Sequence, residues 1–145
     1  MSSDNRPKVG IGVYIIKDGK LLLGERIGAD QANTFSVPGG HLEYSESWEE
    51  CARRETVEET GLEINNIRFL GSTNNVMLVD NTHSVTIAVL ADWESGEPKN
   101  LEPDKCLGWK WYAFDEIPER KAVFLANLLE SDFVVSLKEA LKTTK

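Results

Sequence analysis

The fold is decided by one stretch of the chain, positions 40–62, which reads GHLEYSESWEECARRETVEETGL. Ser47 followed three residues later by Glu50 matches a capping box, in which each side chain accepts a hydrogen bond from a backbone amide of the other residue. No Gly or Pro then occurs before Gly61, a residue type that often ends helices because it adopts positive φ readily. The stretch therefore predicts a helix from Trp48 to Thr60.

Three glutamates of this helix, Glu55, Glu58 and Glu59, share one arc about 100° wide on the helical wheel. The same sector carries small or apolar residues, which normally face the fold: Trp48, Cys51 and Ala52. Like charges three and four residues apart repel each other, and a divalent cation would relieve that repulsion. Mg²⁺ commonly binds a few carboxylates together with substrate phosphates. On this pattern alone, a metal site and an ordinary solvated acidic surface are both open.

The surroundings of the acids could support a metal site. The Pro-Gly-Gly segment at positions 38–40 is predicted to break any regular element and form a sharp, ligand-accessible turn, whose backbone could add a carbonyl ligand. Arg54 precedes Glu58 by four residues and could fix its rotamer. Glu46 could contribute an oxygen or interact with the helix N-terminus.

The chain before the helix predicts strands. Positions 9–16 are rich in Val and Ile, positions 20–23 resume that character, and the intervening Asp18-Gly19 pair is typical of a hairpin turn. Positions 24–33 are predicted as a loop, and positions 34–37 as a short apolar stretch.

The chain after the helix predicts three more strands, near positions 64–76, 84–93 and 108–113. A polar loop at 94–105, about a dozen residues long, is long enough to suggest function or mobility. Positions 115–141 predict a short turn and one or two amphipathic helices. The order strands, helix, strands, helix differs from the alternation of a doubly wound parallel sheet, and it predicts an α/β (α+β) fold with a mixed β-sheet flanked by α-helices.

Length and composition limit the function classes. With 145 residues, the chain is predicted to form a single domain, 1–145. Its 24 acidic and 16 basic side chains give a net charge of −8, which argues against a nucleic acid polymer as partner, although a local cation or metal could still bind a small phosphate ligand. Cys51 and Cys106 show no CxxC spacing and are expected to be free thiols. The polar first residues and the lack of a long apolar run predict a cytoplasmic protein with no membrane partner.

The spacing within the deciding stretch resembles the Nudix box, G-x5-E-x7-R-E-U-x-E-E-x-G-U, where U is a bulky aliphatic residue. Gly40 is followed after five residues by Glu46, and after seven more by Arg54-Glu55-Thr56-Val57-Glu58-Glu59-Thr60-Gly61-Leu62. The one departure is Thr56, where the pattern has an aliphatic residue, and it concerns packing rather than the acids. The segments LLGER at 22–26, FSVPGGHLE at 35–43 and EPKNLEPDKC at 97–106 are similar to the MutT-like Nudix branch of nucleoside triphosphate diphosphatases, so that the resemblance covers about residues 9–118.

The resemblance implies a Nudix fold, with a mixed sheet sandwiched between helices, and Mg²⁺- or Mn²⁺-dependent hydrolysis. Glu55 and Glu59 would hold the metal, with Glu58 and the carbonyl of Gly40 as additional ligands, and Arg54 would orient the acids. The metal would neutralise phosphate charge and lower the pKa of a bound water, while a carboxylate accepts the proton. We expect that carboxylate to be Glu59, with Glu58 or Glu102 as alternatives.

The expected reaction converts a nucleoside triphosphate and water into a nucleoside monophosphate and pyrophosphate. The partner would be this small-molecule nucleotide. Hydrolysis of ADP-ribose or another nucleoside diphosphate derivative stays open, as does a catalytically silent Nudix module that binds nucleotide or a protein. A homodimer is expected by analogy with the two-fold dimers common in the family.

Further residues are candidates for binding the substrate. Arg26, at the end of an apolar run, could pair with a phosphate through its planar guanidinium, and His41 could donate to phosphate or leaving group. Five residues could wall a base pocket: Phe35, Val37, Thr86, Phe124 and Leu125. Each has an ordinary alternative, since an exposed arginine, a structural histidine and core residues would give the same pattern, and Trp109 and Trp111 are expected mainly to pack.

Overall fold

The computed structural model describes residues 5–28 and 33–143. Within these ranges seven strands form one sheet: β1 Lys8–Lys17, β2 Lys20–Arg26, β3 Phe35–Ser36, β4 Gly39–His41, β5 Glu63–Met77, β6 Thr82–Ser95 and β7 Cys106–Tyr112. The strand order is β3-β2-β1-β6-β5, with β4 paired to β1 and β7 paired to β2. β1 and β6 run parallel, whereas the other pairs are antiparallel, which confirms the predicted mixed sheet.

Helices cover both faces of this sheet. They are α1 Trp48–Thr60, α2 Val123–Leu129 and α3 Val134–Thr143, and a single 3-10 turn spans Phe114–Glu116. On one face, α1 packs through Cys51 and Ala52. On the other, α2 and α3 pack through Leu125, Leu128 and Leu137. β1 is buried from both sides, which is why its central residues are almost continuously apolar.

The first hairpin forms as predicted, but its second strand is longer. Ile16 pairs with Leu21, and Asp18 and Gly19 both have positive φ, as a two-residue hairpin turn requires. The loop predicted from position 24 is wrong for residues 24–26, which continue β2. Gly24 permits this because β7 lies against it: an added Cβ would come 2.7 Å from the Trp109 ring. Positions 29–32 of the predicted loop lie outside the described residues.

The predicted break at positions 38–40 is wrong for its two glycines. Gly39 and Gly40 belong to β4 and pair with Gly12 and Ile11 of β1. Glycine is required here for close approach, since a Cβ on Gly39 would overlap the Ile11 carbonyl oxygen. The backbone of β4 is therefore held firmly against the centre of the sheet.

The helix α1 has the predicted bounds. The capping box between Ser47 and Glu50 is present, and Gly61 ends the helix at φ 75°. The polar loop after β6 is fastened to this end, because the amides of Lys99 and Leu101 donate to the carbonyls of Thr60 and Glu59. The helix C-terminus and the loop thus form one wall. No helix in the described parts of the chain is long and apolar enough to cross a membrane.

Candidate active site

A cleft of about 840 Å³ opens between α1, β4, the end of β2 and the loop after β6. It brings together eight of the residues that the sequence predicted for the site: Arg26, Val37, Gly40, His41, Arg54, Glu55, Glu58 and Glu59. Its lining does not include the other four candidates for substrate binding: Phe35, Thr86, Phe124 and Leu125. The structure therefore separates the predicted acidic centre from most of the predicted base pocket.

The centre of the cleft is a pair of carboxylates above the two glycines of β4. The Glu55 carboxylate lies over Gly40 so closely that any side chain at position 40 would overlap it. Glu59 Oε2 accepts a hydrogen bond from the Gly39 amide at 3.3 Å. Burial, a hydrogen bond with Glu55 and the Glu55 charge raise the pKa of Glu59 well above its ordinary value. The two carboxylates are therefore close enough to repel each other when both are charged, and a bound cation would relieve that repulsion.

The third predicted metal ligand, Glu58, does not join this pair. Its side chain is 51% exposed, and its Oε1 lies 3.5 Å from Arg54 Nη1. Across residues 5–28 and 33–143, no three His, Cys, Asp or Glu side chains are gathered closely enough to hold a metal ion. The structure thus brings two of the three predicted carboxylates together, and Glu58 lines the same cleft at a distance from them. The predicted contact between Arg54 and Glu58 four residues later is present, and the same Nη1 also donates to Glu55 Oε2.

Arg54 organises the acids from the side of the cleft. Its Nε donates to Glu46 Oε2 at 2.7 Å, and its Nη1 donates to Glu55 Oε2 at 3.0 Å. These contacts raise the pKa of Arg54, while the hydrogen bond from Arg54 and one from the Glu43 amide lower the pKa of Glu46 to about 2. The sequence suggested that Glu46 contributes an oxygen or interacts with the helix N-terminus, but Glu46 is outside the lining of the cleft, and Ser47 caps the helix. Glu46 instead anchors the guanidinium that orients Glu55.

Two residues of the cleft, Asp104 and Lys105, were not singled out from the sequence. They reach it from the loop after β6 together with Glu102, and Trp109, expected mainly to pack, also lines it. Trp109 Nε1 donates to the Glu59 carbonyl at 3.2 Å and so also fixes the end of α1. Glu102 was considered only as an alternative base. Loop residues carry no periodicity, so only the length of the loop indicated their role.

Both cysteines are free and buried, as expected. Cys106 lines the cleft, and burial raises its pKa. Burial also raises the pKa of Cys51 to about 12. Because the thiolate is the reactive form, neither residue offers a ready nucleophile.

Two of the candidates outside the cleft, Thr86 and Phe124, lie on the other face of the sheet, where they meet Val37, a residue that also lines the cleft. Val37, Thr86 and Phe124 converge on Gly12, where an added Cβ would come 3.2 Å from Phe124 Cε2 and 3.5 Å from each of the other two side chains. Phe35 packs edge-on against Tyr112. Leu125 is fully buried in the core and presents no surface to a ligand, which contradicts its placement in a pocket wall. The amphipathic pattern of α2 fits core packing equally well, so the sequence could not separate the two.

Comparison with known proteins identifies the family. Residues 6–131 match the model of the NUDIX domain. The NAD-capped RNA hydrolase NudC of Photorhabdus laumondii is 31% identical over 106 residues, which are 73% of this chain and 39% of that protein. The chain thus spans about two fifths of the length of this curated relative.

Solved structures agree in fold. A MutT NUDIX hydrolase from Burkholderia pseudomallei superposes with a TM-score of 0.78 at 29% identity, covering 97% of this chain and 99% of that one. The MutT protein from Methanosarcina mazei shares the fold with a TM-score of 0.71 at 22% identity, covering 94% of this chain and 99% of its own. With the family model spanning most of its length and the box acids lying in one cleft, the chain belongs to the Nudix hydrolase family.

Proposed function

We propose that the protein hydrolyses nucleoside triphosphates to nucleoside monophosphates and pyrophosphate, with Mg²⁺ or Mn²⁺ as cofactor. The observation that carries this proposal is the position of Glu55 and Glu59 at the backbone of Gly39 and Gly40, inside a cleft that also holds Arg26. Such a cleft offers oxygen ligands and a phosphate-binding cation within one enclosure.

The residues present fit a hard divalent cation. Glu55 and Glu59 are close enough to share a hydrogen bond, and they face a backbone whose carbonyls are further oxygen donors. The ion would be held by these two carboxylates and the Gly40 carbonyl, with the exposed Glu58 as a further ligand. When bound, it would supply neutralisation of phosphate charge and activation of water.

The chain's own residues have separate tasks in this proposal. Glu59 accepts the proton of the attacking water, with Glu58 and Glu102 as alternatives in the same cleft. Arg54 holds Glu55 in place through the contact with its Oε2. Arg26 and His41 bind the phosphates, since phosphoryl transfer depends mainly on positioning and electrostatics.

A second candidate is hydrolysis of a nucleoside diphosphate derivative such as ADP-ribose. The similarity to NudC, named as a hydrolase of NAD-capped RNA, favours this class of diphosphate linkage. The full-length similarity to a MutT NUDIX hydrolase and the net charge of −8 favour a free nucleotide over an RNA chain.

The test is incubation of the purified protein with Mg²⁺ and a panel of nucleoside triphosphates, ADP-ribose and NAD, with products separated by chromatography. We expect pyrophosphate from at least one triphosphate, and Glu59→Gln should lower turnover by about 10²-fold or more. Glu49→Gln, an exposed position in the first turn of the same helix, is the control and should keep full turnover. Pyrophosphate from no triphosphate, or unchanged turnover in Glu59→Gln, contradicts the proposal.

A further inference from the structure

Strand β7 contains one extra residue where it borders the cleft. Gly24 of β2 lies opposite Trp109. Arg26, two residues further along β2, lies opposite Cys106, so that β7 takes three steps where β2 takes two. This is a β-bulge, and Gly108 within it has a φ of 132°, which other residue types rarely adopt. Bulges often redirect a side chain beside an active site, so the directions of the flanking side chains are informative.

The bulge places Cys106 and Trp109 on the same side of the sheet. Residues three apart in a regular strand point to opposite faces, and the extra residue cancels that alternation. A Cβ added to Gly24 would come 2.7 Å from Trp109 Cε3 and 2.9 Å from Cys106 Sγ, and both residues line the cleft. The Cys106 sulfur also accepts a hydrogen bond from the Gly108 amide at 3.3 Å, which stabilises the bulge.

The redirected Trp109 side chain reaches the end of α1. Its ring lies against Gly24, whose lack of a side chain leaves the space that the ring occupies. The Trp109 Nε1 donates to the Glu59 carbonyl at 3.2 Å. The amide of Leu101, in the loop after β6, donates to the same carbonyl at 3.4 Å. Two elements outside the helix thus contact the backbone of Glu59.

Glu59 depends on these contacts because of its place in the helix. α1 ends at Thr60, so the Glu59 carbonyl is among the last four, which have no partner within a helix. Glu55 lies one turn earlier, where the helical pattern supplies the Glu59 amide as the donor to its carbonyl. The helix itself therefore sets the backbone of Glu55, whereas Trp109 and Leu101 set the backbone of Glu59.

We propose that Trp109 is a positioning residue for the metal site, because its hydrogen bond to the Glu59 carbonyl holds the Glu59 carboxylate beside Glu55. This inference rests on the proposed function, in which these two carboxylates hold a divalent cation. The Glu59 carboxylate accepts a hydrogen bond from the Gly39 amide at 3.3 Å, so that Trp109 and Gly39 hold the two ends of one residue. A ligand fixed in this way loses less freedom when the ion binds, which raises the affinity.

The test is titration of the metal-free protein with MnCl₂ in the absence of nucleotide, with the free ion measured by electron paramagnetic resonance. Trp109→Phe keeps an aromatic ring against Gly24 and removes the indole N–H, and we expect it to weaken Mn²⁺ binding about tenfold. Gly108→Ala should also weaken binding without removing any atom of the cleft. Its added methyl group meets nothing within 4 Å and opposes only the positive φ of the bulge.

Trp93→Phe is the matched control. The Trp93 indole also donates to a backbone carbonyl, that of Gly96 at 2.9 Å, but Trp93 is outside the lining of the cleft. This variant loses the same chemical group and should keep the Mn²⁺ affinity of the wild type. All titrations are made below the unfolding midpoint of each variant, so that a general loss of stability does not change the affinity.

Three results would overturn the inference. They are an unchanged Mn²⁺ affinity in both Trp109→Phe and Gly108→Ala, an equal loss of affinity in Trp93→Phe, and a wild type that binds no Mn²⁺ at millimolar concentration. Because no turnover is measured, these results leave triphosphate hydrolysis to be decided by its own assay. A protein that hydrolyses triphosphates and shows no effect of Trp109→Phe and Gly108→Ala on Mn²⁺ would contradict this inference alone.

Discussion

At the scale of single residues, Thr56 lowers the stability of the protein by burying a polar group of α1. Its side chain is fully buried, and its hydroxyl has no partner in the described part of the chain, although its carbonyl accepts a hydrogen bond from Thr60 Oγ1. Burying an unpaired hydroxyl costs roughly 1–3 kcal/mol. The position is the one at which the family pattern has an aliphatic residue.

Thr56→Val should therefore stabilise the protein. Valine has nearly the same shape without the hydroxyl, so we expect the free energy of unfolding to rise by about 1 kcal/mol. Urea denaturation of the variant and the wild type measures the change. Thr60→Val is the contrasting variant, because the Thr60 hydroxyl donates to Thr56 and accepts from the Leu62 amide, and its loss should destabilise. A less stable Thr56→Val protein would show that the hydroxyl has a role.

Which acids of α1 line the cleft could be predicted from the sequence, but how they are arranged could not. Spacing places Glu55, Glu58 and Glu59 on one arc, and two of them do meet at the glycines of β4. The contact between Arg54 and Glu58 follows from their i,i+4 spacing. The contact between Arg54 and Glu46, across the turn before the helix, is a tertiary effect that helical spacing does not encode.

Glu46 ties the segment before α1 to the helix through its ion pair with Arg54. Because of this pair, the free energy of unfolding should fall as the solution becomes acidic. Because the native pKa of Glu46 is lowered to about 2, its contribution is fully present above its unfolded pKa, roughly 4.3, and is lost as pH falls toward the native value. We expect Glu46→Gln to lower stability at pH near 7 and by progressively less below pH about 4. Urea denaturation across this range measures the difference in the free energy of unfolding between the variant and the wild type. A difference that stays constant as pH falls contradicts the prediction.

At the scale of elements, local signals were sufficient for α1 and the first hairpin. The capping box and Gly61 set the bounds of the helix, and Asp18-Gly19 sets the turn. The strand β4 could not be predicted, because Pro and Gly oppose regular structure locally. Only the close approach of β1 makes glycine the fitting residue there.

Gly39→Ala tests that close approach. The added methyl group would overlap the Ile11 carbonyl oxygen, and we expect a loss of about 1–3 kcal/mol in the free energy of unfolding. Gly10→Ala is the matched control on the facing strand, since its methyl group would meet only ordinary contacts, at 3.6 Å and beyond. Equal unfolding midpoints of the two variants would contradict the packing of β4 described above.

At the scale of the whole molecule, the two faces of the sheet differ in character. The cleft with its glutamates lies on the α1 side, and the core packed by Leu125, Leu128 and Leu137 lies on the α2 and α3 side. Composition could exclude a general polyanion-binding surface from the charge of −8. It could not place Lys105 beside Arg26 in the cleft, because that depends on how the loop after β6 folds back on α1. The homodimer stays a prediction.

The net charge of the molecule and the pair of Glu55 and Glu59 predict different effects of salts on thermal stability. Any salt weakens the repulsion that a charge of −8 produces, whereas only a cation that binds the native pair stabilises by mass action. We expect about 10 mM MgCl₂ to raise the Tm of metal-free protein by at least roughly 2–4 °C more than NaCl of the same ionic strength, which corresponds to about 1 kcal/mol. The excess should vanish in a Glu55→Gln, Glu59→Gln double variant, because the site then lacks both charges. Equal Tm shifts from the two salts in the wild type would mean that charge screening explains the whole effect. That result would contradict binding of a cation by Glu55 and Glu59.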